Sequence, residues 1–235
     1  MKPSSAVRQK GLYILLLFLF GASAHFGYAA VYPDRVLFRR AEQHLQAGNP
    51  EQAMQLYQQA LDLGLRWPRA VIRVIEAALA AQNHIAAEQG LENLLTSKTR
   101  LLPDELLNLA VLFDRFDRPE LARELLEHYP RQLLASPDLT LYLAGLYRRS
   151  MWYREADLLY TQLAEIPGMK TTAALEQAEM YGWQGRYIDA EELLRGILQM
   201  EPENRMARII LGRVLSWDGR FIEAITEYKK ALGEV

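Results

Sequence analysis

The feature that most constrains this chain is a repeat. Tyr181-Gly-Trp-Gln-Gly-Arg-Tyr-Ile-Asp-Ala190 reads onto Leu215-Ser-Trp-Asp-Gly-Arg-Phe-Ile-Glu-Ala224, sharing Trp, Gly, Arg, Ile and Ala at an offset of 34 residues. A fixed period of that length predicts stacked copies of one supersecondary unit, because a single copy cannot cover its own apolar face. Extended towards the N-terminus, the interval carries Ala190 to Ala156 and Ala122, then by a 35-residue step to Ala87, and on to Ala53. Six units emerge, at about 34–67, 68–102, 103–136, 137–170, 171–204 and 205–235.

Twelve residues before each of these alanines stands a second small residue, Ala41, Ala110, Ala144, Ala178 or Gly212; only the second unit differs, with Ile75. Two small residues so placed predict a helical hairpin whose axes approach at the short end of the usual ~8–10 Å. Large residues fill the remaining space: Phe113, Tyr147, Tyr181 and Leu215 towards the end of the first helix, and Tyr57, Leu91, Leu126, Tyr160, Leu194 and Tyr228 one turn into the second. Gly48-Asn49-Pro50, Asp117-Arg118-Pro119, Gly185 and Gly219 punctuate the hairpins, and Pro68, Pro103 and Pro137 each open a first helix, where the missing amide donor costs nothing. The apolar half of the chain is mostly Leu and Ala with few β-branched runs, the balance of packed amphipathic helices. The fold class is all-α.

The first 29 residues differ in kind. Lys2, Arg8 and Lys10 precede the apolar run Leu12 to Phe20, followed by Gly21-Ala22-Ser23-Ala24, which reads as a secretory signal peptide with cleavage after Ala24 or Ala29. The alternative is an uncleaved membrane anchor over residues 11–31, since Leu12 to Val31 nearly spans a bilayer core of ~30 Å. Either reading places the rest of the chain in the periplasm or outside the cell. Loss of residues 1–29 removes three cations and no acid, moving the formal charge from −2 to −5. A mildly acidic domain is a poor nucleic-acid binder. The absence of Cys excludes disulfides, thiol chemistry and a thiol-linked lipid, so the expected stability comes from packing alone.

The pattern of a small residue, an aromatic, an Ala and a closing Pro, here Pro202 in the fifth unit, resembles the tetratricopeptide repeat. The resemblance covers residues 34–235 and is closest in units four to six. It implies an α-solenoid of about six helix-turn-helix repeats in a right-handed superhelix, with a concave groove lined by first helices. It also implies a non-catalytic role in protein binding and assembly. The Trp-Gln-Gly-Arg and Trp-Asp-Gly-Arg turns are further similar to repeats in the periplasmic parts of bacterial exopolysaccharide export proteins.

First-helix positions that face away from the second helix include Phe38, Leu107, Leu141, Leu175 and Ile209, which either pack between adjacent first helices or line the groove. The candidate binding residues are Arg115, Arg148, Arg149, Trp183, Arg213 and Trp217, because Trp and Arg are the commonest anchors of binding hot spots. Each has a plainer reading: the tryptophans as closures of the turn against Tyr187 and Phe221, the arginines as a solvated face paired with nearby acids. The last helix, Phe221 to Leu232, carries Ile222 and Ile225 and no polar capping helix follows it. That face docks on a partner or a second copy, or the sequence is cut from something longer.

Catalytic and metal signatures are missing. His44, His84 and His128 fall in three different units, no metal-ligand spacing or phosphate loop occurs, and Glu191-Glu192 reads as a solvated helix face. The expectation is an envelope scaffold without catalytic activity, cofactor or metal, which binds protein partners in its groove and helps assemble a larger complex. Two alternatives stay open: a carbohydrate-binding module of a polysaccharide secretion system, with Trp183 and Trp217 stacking on sugar, and a self-assembling oligomer.

Overall fold

The computed structural model describes residues 30–65, 68–97 and 99–234. The signal peptide or anchor read over residues 1–29 lies outside them. All regular structure among the described residues is helical, and the chain divides into two compact units, one ending at Leu101 and the other beginning at Leu102.

The first unit contains α1 (Pro33–Gln46), α2 (Pro50–Asp62), α3 (Pro68–Ala80) and α4 (His84–Thr96). Two hairpins result, α1 on α2 and α3 on α4, with α2 also packed on α3. Ala41 and Ala53 are fully buried at the first crossing, and beside them Phe38 and Tyr57 meet with ring centroids 5.2 Å apart. Ile75 occupies the expected small-residue site of α3 and is also fully buried. The bulk is accommodated from the other side, because a Cβ on Gly90 of α4 would lie 2.7 Å from Ile75 Cγ1. The second repeat therefore keeps its close crossing by placing the small residue on the second helix instead of the first.

The second unit comprises α5 (Pro103–Arg115), α6 (Pro119–Glu127), α7 (Pro130–Ala135), α8 (Pro137–Arg149), α9 (Tyr153–Ala164), α10 (Lys170–Trp183), α11 (Tyr187–Met200), α12 (Arg205–Trp217) and α13 (Phe221–Leu232). Four hairpins follow one another, with first helices α5, α8, α10 and α12 and second helices α6, α9, α11 and α13. Successive first helices also pack together: α5 on α8, α8 on α10, α10 on α12. The third repeat departs from a simple pair of helices. Pro130 cannot continue α6, so α6 ends at Glu127 and the residues up to Ser136 form the extra short helix α7.

One backbone feature recurs at every hairpin turn. Gly48, Gln82, Asp117, Met151, Gly185 and Gly219, spaced at the repeat interval, all adopt positive φ, between 56° and 80°. Only three are the glycine that this left-handed conformation favours. In the last two repeats the arginine after the glycine is fixed locally, Arg186 to Asp189 at 2.7 Å and Arg220 to Glu223 at 2.6 Å. The shared Gly-Arg-aromatic-Ile-acid sequence is thereby explained as a turn and helix-entry device. Glu191 is a correction to the solvated reading of Glu191-Glu192. It is 18% exposed and bridges Arg195 at 2.6 Å and Arg220 at 2.5 Å, tying α11 to the entry of α13.

Candidate partner-binding face

The first helices of the second unit are linked by a ladder of side chains. Relative to the small residue of each first helix, the side chain at the fifth following position rests on the fourth-position residue of the preceding first helix. Arg149 of α8 binds Asp114 of α5 at 2.7 Å. Trp183 of α10 lies against Arg148 of α8, whose guanidinium carbon is 4.6 Å from the ring centroid. Trp217 of α12 covers Gly182 of α10 so closely that a Cβ there would come within 2.7 Å of Trp217 Cζ3. Each pair is 35 residues apart. Pairing along that interval is the sequence signal that could have shown these contacts.

Arg148 is held on its edge as well as its face. Its guanidinium is ion-paired with Glu176 at 3.1 Å and donates to Glu179 at 3.0 Å, and Glu179 is also ion-paired with Arg213 of α12 at 2.7 Å. The Arg148 and Glu179 side chains are only 13% and 15% exposed, so three successive first helices are joined through a largely desolvated charge cluster. Such a cluster adds little net stability, because desolvation offsets much of the attraction. Arg is suited to it, since its planar group can hydrogen-bond at the edge and stack at the face together.

Of the six candidate residues, the structure brings together Arg148, Trp183, Arg213 and Trp217, with Arg149 beside Arg148. Arg115 is exposed and forms no ion pair among the described residues. The sequence did not single out Glu176 and Glu179 as the acids that organise the arginines, nor Gly182 as the seat of an indole. Phe38, Leu141 and Leu175 are half-buried against their cores, which favours the packing reading for that column. The tryptophans lean on the preceding repeat and not on the following turn, and Phe221 is 63% exposed.

Both indoles nevertheless keep a large open surface, 46% for Trp183 and 42% for Trp217. Among the described residues of this unit, four buried polar atoms find no hydrogen-bond partner in the protein: Arg148 Nε, Arg213 Nε, Gln184 Nε2 and the Tyr160 hydroxyl. A hollow of about 880 Å³ lies elsewhere, lined by Ala174 and Tyr181 of α10 and Leu193 and Gly196 of α11. On α10 those residues are about half a turn from Glu176, Glu179 and Trp183. The ladder is thus an open face rather than an enclosed small-molecule pocket. Among the described residues no cluster of three or more His, Asp or Glu could hold a metal, and no helix is long and apolar enough to cross a membrane.

Residues 34–124 match a family model described as tetratrico peptide repeat. Two solved structures have similar folds. One is the C-terminal part of a TPR repeat-containing protein from Cytophaga hutchinsonii, at 12% identity and a TM-score of 0.57, the match covering 84% of this chain and 78% of that one. The other is a tetratricopeptide repeat protein from Parabacteroides merdae, at 15% identity and a TM-score of 0.57, covering 86% and 79%. A sequence search of curated proteins gives no match. Helical hairpins closed by paired small residues, the recurrent left-handed turn and these likenesses lead to one conclusion: residues 34–124 match the tetratricopeptide repeat family, and the fold is that of tetratricopeptide repeat proteins.

Proposed function

We propose that the second unit holds a protein partner on the face of α8, α10 and α12, and that the chain is a non-catalytic adaptor that helps assemble a larger complex in the bacterial envelope. The observation that carries this reading is the pair Trp183 and Trp217. Both indoles are exposed by more than 40%, yet each is seated against the preceding first helix, on Arg148 or on the Gly182 backbone. Anchors held in place before binding lose little freedom on association, which is how a few aromatic and Arg residues come to dominate an interface. The envelope location rests on the signal-like residues 1–29, and exopolysaccharide export is the pathway that the Trp-x-Gly-Arg turns suggest.

The test is affinity purification of the tagged full chain from envelope extracts, beside a Trp183→Ala/Trp217→Ala variant of unchanged helical circular dichroism. Partners retained by the wild type and lost by the variant support the reading; identical partner sets from both sink it. The self-association reading draws on a specific observation, since Phe221, Ile222, Ile225 and Leu232 of α13 are all more than half exposed. Light scattering decides it, and a strictly monomeric chain at high concentration removes it. Binding of purified exopolysaccharide that disappears in the double Trp variant would move the site to the carbohydrate reading.

A further inference from the structure

Tyr57 and Tyr160 hold the same place in two repeats, each 16 residues after the small residue of the first helix, and both side chains are fully buried. Their hydroxyls fare differently. Tyr57 donates to Glu42 at 2.5 Å, and the same carboxylate receives Arg73 at 3.0 Å. Tyr160 has no hydrogen-bond partner among the described residues. The cause is visible in the sequence: the residue after Ala41 is Glu42, whereas the residue after Ala144 is Gly145. The fourth repeat has the tyrosine without its carboxylate, and a buried hydroxyl in that condition destabilises the free protein.

Among the described residues nothing gives Gly145 a steric reason. A Cβ there would meet only Arg149 Nη1, at an ordinary 3.6 Å, so alanine would fit and would favour the helix. What the glycine leaves is room for an approaching group. Besides burial, the charges that act on the Tyr160 phenol are Arg148, Glu176, Arg149 and Glu179, all groups of the ladder face. Glu176 and Glu179 are already bound by Arg148, and Arg213 also holds Glu179. Arg149 is matched by Asp114 at 2.7 Å.

We propose that Gly145 opens a subsite on the ladder face for an Asp or Glu side chain of the partner, whose carboxylate accepts the Tyr160 hydroxyl as Glu42 accepts that of Tyr57. The inference rests on the partner-binding reading above and names the chemistry it selects. Arg149, 44% exposed, is the side chain nearest the vacant Cβ position of Gly145, and it turns outward to share the incoming carboxylate.

The experiment pans phage-displayed random peptides on the full chain and measures the affinity of those recovered. The expected peptides carry Asp or Glu at one fixed position, and its replacement by Asn or Gln weakens binding at least tenfold. Gly145→Glu supplies the acid internally, so it should raise Tm while weakening the peptides at least tenfold. Tyr160→Phe, checked for unchanged circular dichroism, should weaken them severalfold without lowering Tm. Peptides that depend on Trp183 yet bind wild type, Gly145→Glu and Tyr160→Phe equally overturn the subsite and leave the partner-binding face standing. Failure to recover any peptide, or peptides indifferent to Trp183→Ala as well, overturns both. Protection of the fold by millimolar succinate without an acidic requirement in the peptides overturns the peptide side chain as occupant.

Discussion

Replacing Gly90 by Ala should destabilise the protein in one background and stabilise it in another. In the middle of a helix, Gly→Ala ordinarily gains about 1 kcal/mol. At Gly90 the new methyl would lie 2.7 Å from Ile75 Cγ1, where both residues are buried and the β-branched side chain has little rotamer freedom on a helix. Overpacking of this kind costs about 1–3 kcal/mol, so the net effect is a loss of about 1 kcal/mol. Ile75→Ala alone should cost about 2–4 kcal/mol through the cavity it leaves. In that background the Gly90→Ala methyl enters vacated space and the helix preference is recovered, a gain of about 1 kcal/mol. The coupling between the two sites is then about 2 kcal/mol, well above the usual scatter of additivity. The assay is urea unfolding of the full chain by circular dichroism, together with hydrogen exchange over α3 and α4, because repeat arrays can open locally. Stabilisation by about 1 kcal/mol in both backgrounds, with no coupling, would refute the reciprocal packing of the second repeat.

Three further outcomes are expected. Gly182→Ala should leave Tm nearly unchanged, the helix gain of about 1 kcal/mol offsetting the contact 2.7 Å from Trp217, while moving that indole and red-shifting its share of the fluorescence relative to a Trp217→Phe control. Met151→Gly, at φ 61°, should stabilise by about 1 kcal/mol and raise Tm by about 2–4 °C, with Gly185→Ala, at φ 74°, moving Tm the other way. Burial, joined at all but Tyr160 by a carboxylate acceptor, raises the pKa of Tyr57, Tyr142, Tyr147, Tyr160 and Tyr181, the last to about 12. Since the unfolded chain loses these protons near the ordinary value of 10.0, the stability they lend is whole below pH 10 and drains away as pH rises towards 12 and beyond. Phenolate absorbance from these residues should appear in step with loss of helix; phenolate well before unfolding would contradict it.

What the sequence reveals here is what repeats. The period, the two small residues and the turn positions follow from a spacing that only close-packed helical hairpins need, and the structure puts Ala41, Ala53, Ala144 and Ala156 at zero exposure as that spacing requires. Departures were harder to read because compensation lies out of register. Ile75 is tolerated through Gly90, which stands 15 residues on and outside the recurring columns. The extra helix α7 escaped because the period continued undisturbed across it, although Pro130 marks its start. The binding candidates were legible as residue types but not as an arrangement. Nothing in the spacing alone tells that Glu179 joins Arg148 to Arg213, since the choice among nearby acids is made by side-chain geometry.

The most direct measurement is hydrogen–deuterium exchange of the full chain, free and bound to the partner it captures. Protection is expected over 141–149, 175–184 and 209–217, the stretches that carry Arg148, Trp183 and Trp217, and its loss in the Trp183→Ala/Trp217→Ala variant. Protection confined to α9, α11 and α13, or unchanged in that variant, would contradict a partner held on the face of the first helices.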